Sequence, residues 1–143
     1  MQQRFVLSTV DFALLWIRVV SGIIFAAHGA QKLFGWFGGP GLDAMVGMLG
    51  PLGYLVSIGE FFGGLGLILG FLSRFSAASL IVVMLGAIVM VHGANGFFLG
   101  EKPGFEYNFA LIGLLVPTLI CGPGHLALVR ALSPPARHSR MAE

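Results

Sequence analysis

The sequence places ionisable side chains where an apolar chain can least easily keep them. Arg18, His28 and Lys32, with the neutral polar Gln31 among them, fall in one hydrophobic stretch, and Glu60 falls in a second. At the centre of a bilayer helix such groups cost about 2.5 to 3.5 kcal/mol each on insertion scales, so each needs a partner, water or a route to the interface. Lys32 is near a helix end and Arg18 about six residues from the other edge, and both stems are long enough to snorkel. Glutamate is too short for that, so Glu60 is paired, hydrated by a cavity or protonated. A ligand-facing role for Glu60 and a structural pair with His28 or Lys32 both remain open at this point.

These residues must be positioned by membrane helices. Of the 143 residues, 57% are hydrophobic and 10% charged, and the mean hydropathy is +0.92. A soluble single-core domain would have too little polar surface at that composition, whereas a polytopic membrane protein needs about 20 apolar residues per crossing. The expected fold is an all-α antiparallel bundle of four transmembrane helices at about 12–34, 52–72, 76–92 and 106–121, forming one domain over 1–143. A short interfacial segment, Leu42 to Leu49, follows the first span, and Pro117 should kink the fourth. The basic, Pro-rich tail at about 133–143 is expected to be disordered.

An N-terminal signal peptide is disfavoured because Arg18 would interrupt its apolar region. Arg4, Arg74, Arg130, Arg137 and Arg140 lie on the side of the termini, against Lys32 and Lys102 on the other. The positive-inside rule then predicts an inner-membrane protein with both termini cytoplasmic.

With helices antiparallel, His28 and Glu60 lie at similar depths, roughly 9 to 12 Å below the outer edge. His92 ends the third span there, and Glu106, Tyr107 and Asn108 begin the fourth, where Asn108 reads as a helix cap. Four spans thus bring a polar set to one mouth, with the interfacial aromatic Trp36 beside it. Small residues at Gly53, Ser57, Gly63 and Gly64 suit close helix approach.

Other chemistries are disfavoured. Cys121 is the single cysteine, which rules out an intrachain disulfide, a CxxC redox pair or a thiolate cage. Basic residues are scattered singly, so no nucleic acid is expected as a partner. The glycines at 64, 66 and 70 lie inside an apolar span and not after a strand, which removes the nucleotide-loop reading. His28 and His92 lack a fixed motif spacing, so neither haem nor metal is expected.

The run RVVSGIIFAAHGAQKLFGWFGGPG, the segment GEFFGGLGLILGFLSR, the NGFF after His92, the EY at Glu106 and Tyr107, and the terminal GPG together resemble the DoxX family of small bacterial membrane proteins. The resemblance spans about Phe12 to Leu128. It implies a four-helix membrane protein linked to membrane redox chemistry, since the family is named after a subunit of a thiosulfate:quinone oxidoreductase. Related families include non-enzymatic assembly factors. The positions that match the family pattern include Arg18, His28, Lys32, Glu60, His92 and Tyr107.

On this basis a quinone is the expected cofactor, and quinone chemistry couples electrons to protons. His28 and Glu60 would exchange protons at the headgroup, and Arg18 or Lys32 would stabilise negative charge. Trp36 would flank the ring, with His92 and Tyr107 at the rim. Expected partners are membrane lipids and a membrane or redox protein, and self-association is compatible with the pattern. The alternative is a non-catalytic scaffold or assembly factor for a partner enzyme.

Overall fold

A computed structural model describes residues 7–128. Five α-helices follow one another: α1 Thr9–Phe34, α2 Gly41–Leu49, α3 Leu52–Leu69, α4 Ser73–Ala87 and α5 Glu106–Cys121. Among the described residues there is no β-strand, only an isolated bridge between Leu99 and Pro103. The expected tail at 133–143 lies outside the described residues.

Local chemistry sets the helix ends. α1 starts at Thr9, a turn before Phe12, because Ser8 and Asp11 close a capping box. The Ser8 N–H donates to Asp11 Oδ2 at 3.0 Å and the Asp11 N–H to Ser8 Oγ at 3.2 Å, so two otherwise orphaned donors are satisfied. At the other end Gly35 adopts φ 70°, a left-handed conformation suited to glycine, and its N–H returns to the Gln31 carbonyl.

α3 stops at Leu69, short of the expected 72, since Gly70 is left-handed. The Gly70 N–H bonds the Leu67 carbonyl at 3.2 Å and the Phe71 N–H bonds the Gly66 carbonyl at 2.9 Å, closing the helix and turning the chain into α4. α4 is continued by a π-helical turn, Ile88–His92, and a 3-10 turn, Gly93–Asn95.

By length and composition, three helical stretches are long and apolar enough to cross a membrane: Thr9–Phe34, Leu52–Leu69 and Ser73–Asn95. α5 is also apolar but has 16 residues, about 24 Å of helix against a hydrocarbon core of about 30 Å. It runs through Pro117 as one element.

α1 packs along α3, α3 on α4, and α4 on α5, while α5 also reaches α1. Glycines set the first contact. A Cβ on Gly22 would lie 2.7 Å from the Gly64 carbonyl oxygen, and one on Gly29 would run into the Phe61 backbone. The two helices therefore approach to backbone distance. Phe25, Leu67, Ala77, Leu80, Met84, Leu111 and Leu115 form the buried core between α1, α3, α4 and α5. Outside it, Trp16, Phe62, Phe75, Val82, Val89, Phe109 and Ile120 are exposed. Such extensive apolar exposure suits helices surrounded by lipid.

Candidate functional site

The close α1–α3 contact at Gly29 and Phe61 brings the next turn of α1 onto Glu60. Lys32 Nζ donates to Glu60 Oε1 at 2.5 Å. Glu60 is 1% exposed and the Lys32 side chain 26% exposed, so a partly exposed lysine meets an enclosed carboxylate. The second carboxylate oxygen, Oε2, is buried without a hydrogen-bond partner among the described residues. An ionised oxygen in that position carries a desolvation penalty that Lys32 offsets only in part.

Around this pair the helices hold a layer of polar and soft groups. Gly63 faces Leu80 and Gly66 faces Ser76, so the antiparallel register of α3 and α4 brings Glu60 level with Met84. Met84 Sδ accepts a hydrogen bond from Asn108 Nδ2 at 3.4 Å, and both residues are buried. The Asn108 side chain therefore points into the bundle instead of capping α5. Met84 is the member of the layer that the sequence pattern missed, since a thioether acceptor has no sequence signature, whereas Asn108 was expected at this level as a helix cap.

His28 is exposed at this end, and its ring lies 6.1 Å from the Tyr107 ring with planes inclined at 59°. Glu60 is hydrogen-bonded to Lys32 and not to His28. Trp36 stacks on Phe34 at 5.1 Å, and Phe34 meets Phe61 edge-on at 5.2 Å. An aromatic wall thus starts beside Glu60 and ends at the exposed Trp36. His92 closes the π-helical turn at the same end, with Nδ1 buried and unpartnered. By the α3–α4 register it lies roughly 12 Å further out than Glu60.

Arg18 is elsewhere. Its guanidinium is fully buried at the opposite end of α3, where Nη1 donates to the Leu67 carbonyl at 3.1 Å and Nη2 to the Leu126 carbonyl at 2.6 Å. It does not snorkel, because the α3 C-terminus and the segment after α5 supply acceptors within the protein. The negative end of the α3 dipole adds to this stabilisation. The same segment is fixed a second time, with the His125 N–H donating to Asp11 Oδ1 at 2.8 Å and His125 Nδ1 lying 2.9 Å from that oxygen. The Ser8–Asp11 spacing is a local capping signal that a span begun at Phe12 passes over, and the His125 partner 114 residues away leaves no such signal.

Among the described residues no group of three or more His, Cys, Asp or Glu could hold a metal ion. The structure thus assembles Lys32, Glu60, His28, Tyr107 and the Trp36 wall at one end, with His92 further out and Arg18 apart.

These features define a small helical membrane protein with an enclosed acid–base pair between its first two long helices. The chain belongs to the DoxX family, whose profile matches residues 13–93. A Bacillus subtilis (strain 168) protein named "Putative oxidoreductase CatD" is 26% identical over 118 residues, covering 82% of this chain and 85% of the relative. No solved structure matches the chain.

Proposed function

We propose that this protein is the integral membrane component of a redox system, a subunit of a quinone-linked oxidoreductase whose ligand-facing group is Glu60. The single observation behind this reading is the buried Oε2 of Glu60, which has no partner although Oε1 is held by Lys32. An orphaned carboxylate acceptor fits a ring hydroxyl, and when protonated it fits a ring carbonyl oxygen. Family membership and the oxidoreductase name of the Bacillus subtilis relative support the same class of chemistry.

Four antiparallel helices, α1, α3, α4 and α5, would cross the inner membrane with both termini cytoplasmic, so that Glu60 lies near the outer side. A bound quinone would supply two-electron, two-proton carriage between the membrane and a partner protein. Glu60 Oε2 would hold the proton nearest the ligand oxygen, with Lys32 bonded to the other carboxylate oxygen. The exposed His28 beside Tyr107 would connect the site to water, and Phe61, Phe34 and Trp36 would orient the ring.

The test is Glu60→Gln in the native membrane. Quinone-linked electron transfer should fall by about 10²-fold or more, as for loss of a positioned general acid–base group, while protein level is retained. Purified protein devoid of quinone, together with unchanged respiration in Glu60→Gln, would refute the proposal. A second reading, a non-catalytic scaffold, draws on the fact that the Lys32–Glu60 pair and the Arg18 contacts tie α1 to α3. It expects Glu60→Gln to lower protein level or recovery of the partner enzyme, with no separate catalytic defect.

A further inference from the structure

The 16 residues of α5 leave it about 6 Å short of the hydrocarbon core. The connection just before it, residues 96–105, folds back on itself. The Phe105 N–H donates to the Gly96 carbonyl at 3.1 Å and the Glu106 N–H to the Phe97 carbonyl at 2.8 Å. Leu99 pairs with Pro103 in the isolated bridge, and the Leu99 N–H donates to Glu106 Oε2 at 3.3 Å. Asn95 Nδ2 closes the base by donating to the Pro103 carbonyl at 3.0 Å. Gly104 is buried inside this loop, where a Cβ would run into the carbonyls of Gly96, Phe97 and Phe98. The connection is therefore a closed hairpin that pairs several of its own backbone groups.

Its side chains divide by polarity. Phe97 packs edge-on against Phe98 and Phe105, each at 5.2 Å, and lies 6.3 Å from Phe109 on the first turn of α5. Phe98 is 75% exposed, Leu99 58% and Phe109 62%, so an apolar patch continues from the hairpin onto the outward face of α5. Glu101 and Lys102 are confined to the tip, and Glu106 is turned back onto the Leu99 N–H. Trp36 and Phe37, also exposed, lie at the same end of the bundle, since His28 of α1 meets Tyr107 of α5 there. An exposed apolar patch marks a contact with either lipid or protein. Three features select lipid: the patch is continuous with a helix face suited to lipid, it lies where α5 falls short of the core, and its charges sit only where a tip would reach water.

We propose that the 96–105 hairpin is a membrane anchor, with Phe97, Phe98 and Leu99 entering the boundary between lipid headgroups and acyl chains and completing the apolar length that α5 lacks. Irregular backbone is excluded from the hydrocarbon centre, so the hairpin stays at this boundary, where water reaches its remaining N–H and C=O groups. From Gly96 to Leu99 an extended chain rises about 10 Å, enough to cover the shortfall of about 6 Å. The tip, Gly100 to Lys102, remains in water. This placement rests on the reading that the long helices cross a membrane.

The test reconstitutes the full chain in phosphatidylcholine–phosphatidylglycerol vesicles as two single-tryptophan variants. Trp16→Phe with Trp36→Phe and Phe98→Trp reports on the hairpin, while Trp36→Phe alone keeps Trp16, an exposed residue within α1, as the reference for membrane insertion. The hairpin indole should lose more emission to phospholipids brominated near the headgroup end of the acyl chain than to those brominated near its middle, and little to aqueous iodide. Gly104→Ala, added to the hairpin variant, should lessen the lipid quenching, whereas Gly100→Ala, in open space, should leave it unchanged. Equal lipid quenching in these two glycine variants would contradict a hairpin anchor. Quenching of the hairpin indole by iodide and not by lipid, with Trp16 still quenched by lipid, would overturn the anchor and leave the crossing helices standing. Shielding of the hairpin from both quenchers would overturn it in favour of a protein contact, and lipid quenching at neither position would remove the membrane placement as a whole.

Discussion

At the scale of single residues, burial decides what each charge can do. Glu60 is enclosed, so removing its partner Lys32 should cost far more than an exposed ion pair is worth. Lys32→Met is expected to destabilise the protein by about 3 to 5 kcal/mol, whereas Lys32→Met combined with Glu60→Leu should lose much less. Denaturant unfolding of the two variants in detergent measures the difference. If the single and double variants lose equal stability, the pair does not carry the stabilising role assigned to it. Glu60 was conspicuous in the sequence because a short acidic chain deep in an apolar helix has few options. The environment of Arg18 was not legible, since carbonyl acceptors at a helix end and in a segment 108 residues away leave no residue-type signature.

At the scale of helices, glycines separate into those that allow contact and those that face open space. A Cβ at Gly29 meets the Phe61 backbone, which cannot rotate aside, whereas one at Gly59 meets nothing within 4 Å. Gly29→Ala should therefore cost roughly 1 to 3 kcal/mol by overpacking and displace Lys32 from Glu60. Gly59→Ala should be neutral or stabilising by up to about 1 kcal/mol through helix propensity. Thermal unfolding in one detergent ranks the two, and equal stabilities would contradict the tight α1–α3 approach. The helices themselves were readable from apolar run length and from Gly and Pro punctuation, as at Gly35 and Gly70. The π-helical turn at Ile88–His92 was not, because one inserted residue shifts backbone bonding without altering composition.

At the scale of the whole molecule, Arg18 at the C-terminal end of α3 and the Lys32–Glu60 pair lie about 10 Å apart along that helix, and the proposed orientation puts Arg18 nearer the cytoplasm. Cys121 offers a direct probe, being the single cysteine and exposed at the same end as Arg18 and the C-terminal segment. If the termini are cytoplasmic, a membrane-impermeant maleimide should leave Cys121 unlabelled in intact cells and label it in inverted vesicles. In a Cys121→Ser background, a cysteine introduced at Gly100, in the exposed connection before α5, should show the reverse pattern. Gly100 has open space around it, so the new side chain should not disturb packing. Labelling of both positions from the same side would mean that α5, the 16-residue helix between them, does not cross. Labelling of Cys121 from outside, with the reverse at residue 100, would invert the molecule and place the Lys32–Glu60 pair toward the cytoplasm. The charge asymmetry expected from the sequence favours the first outcome, with Arg4, Arg74, Arg130, Arg137 and Arg140 assigned to the side of the termini against Lys32 and Lys102.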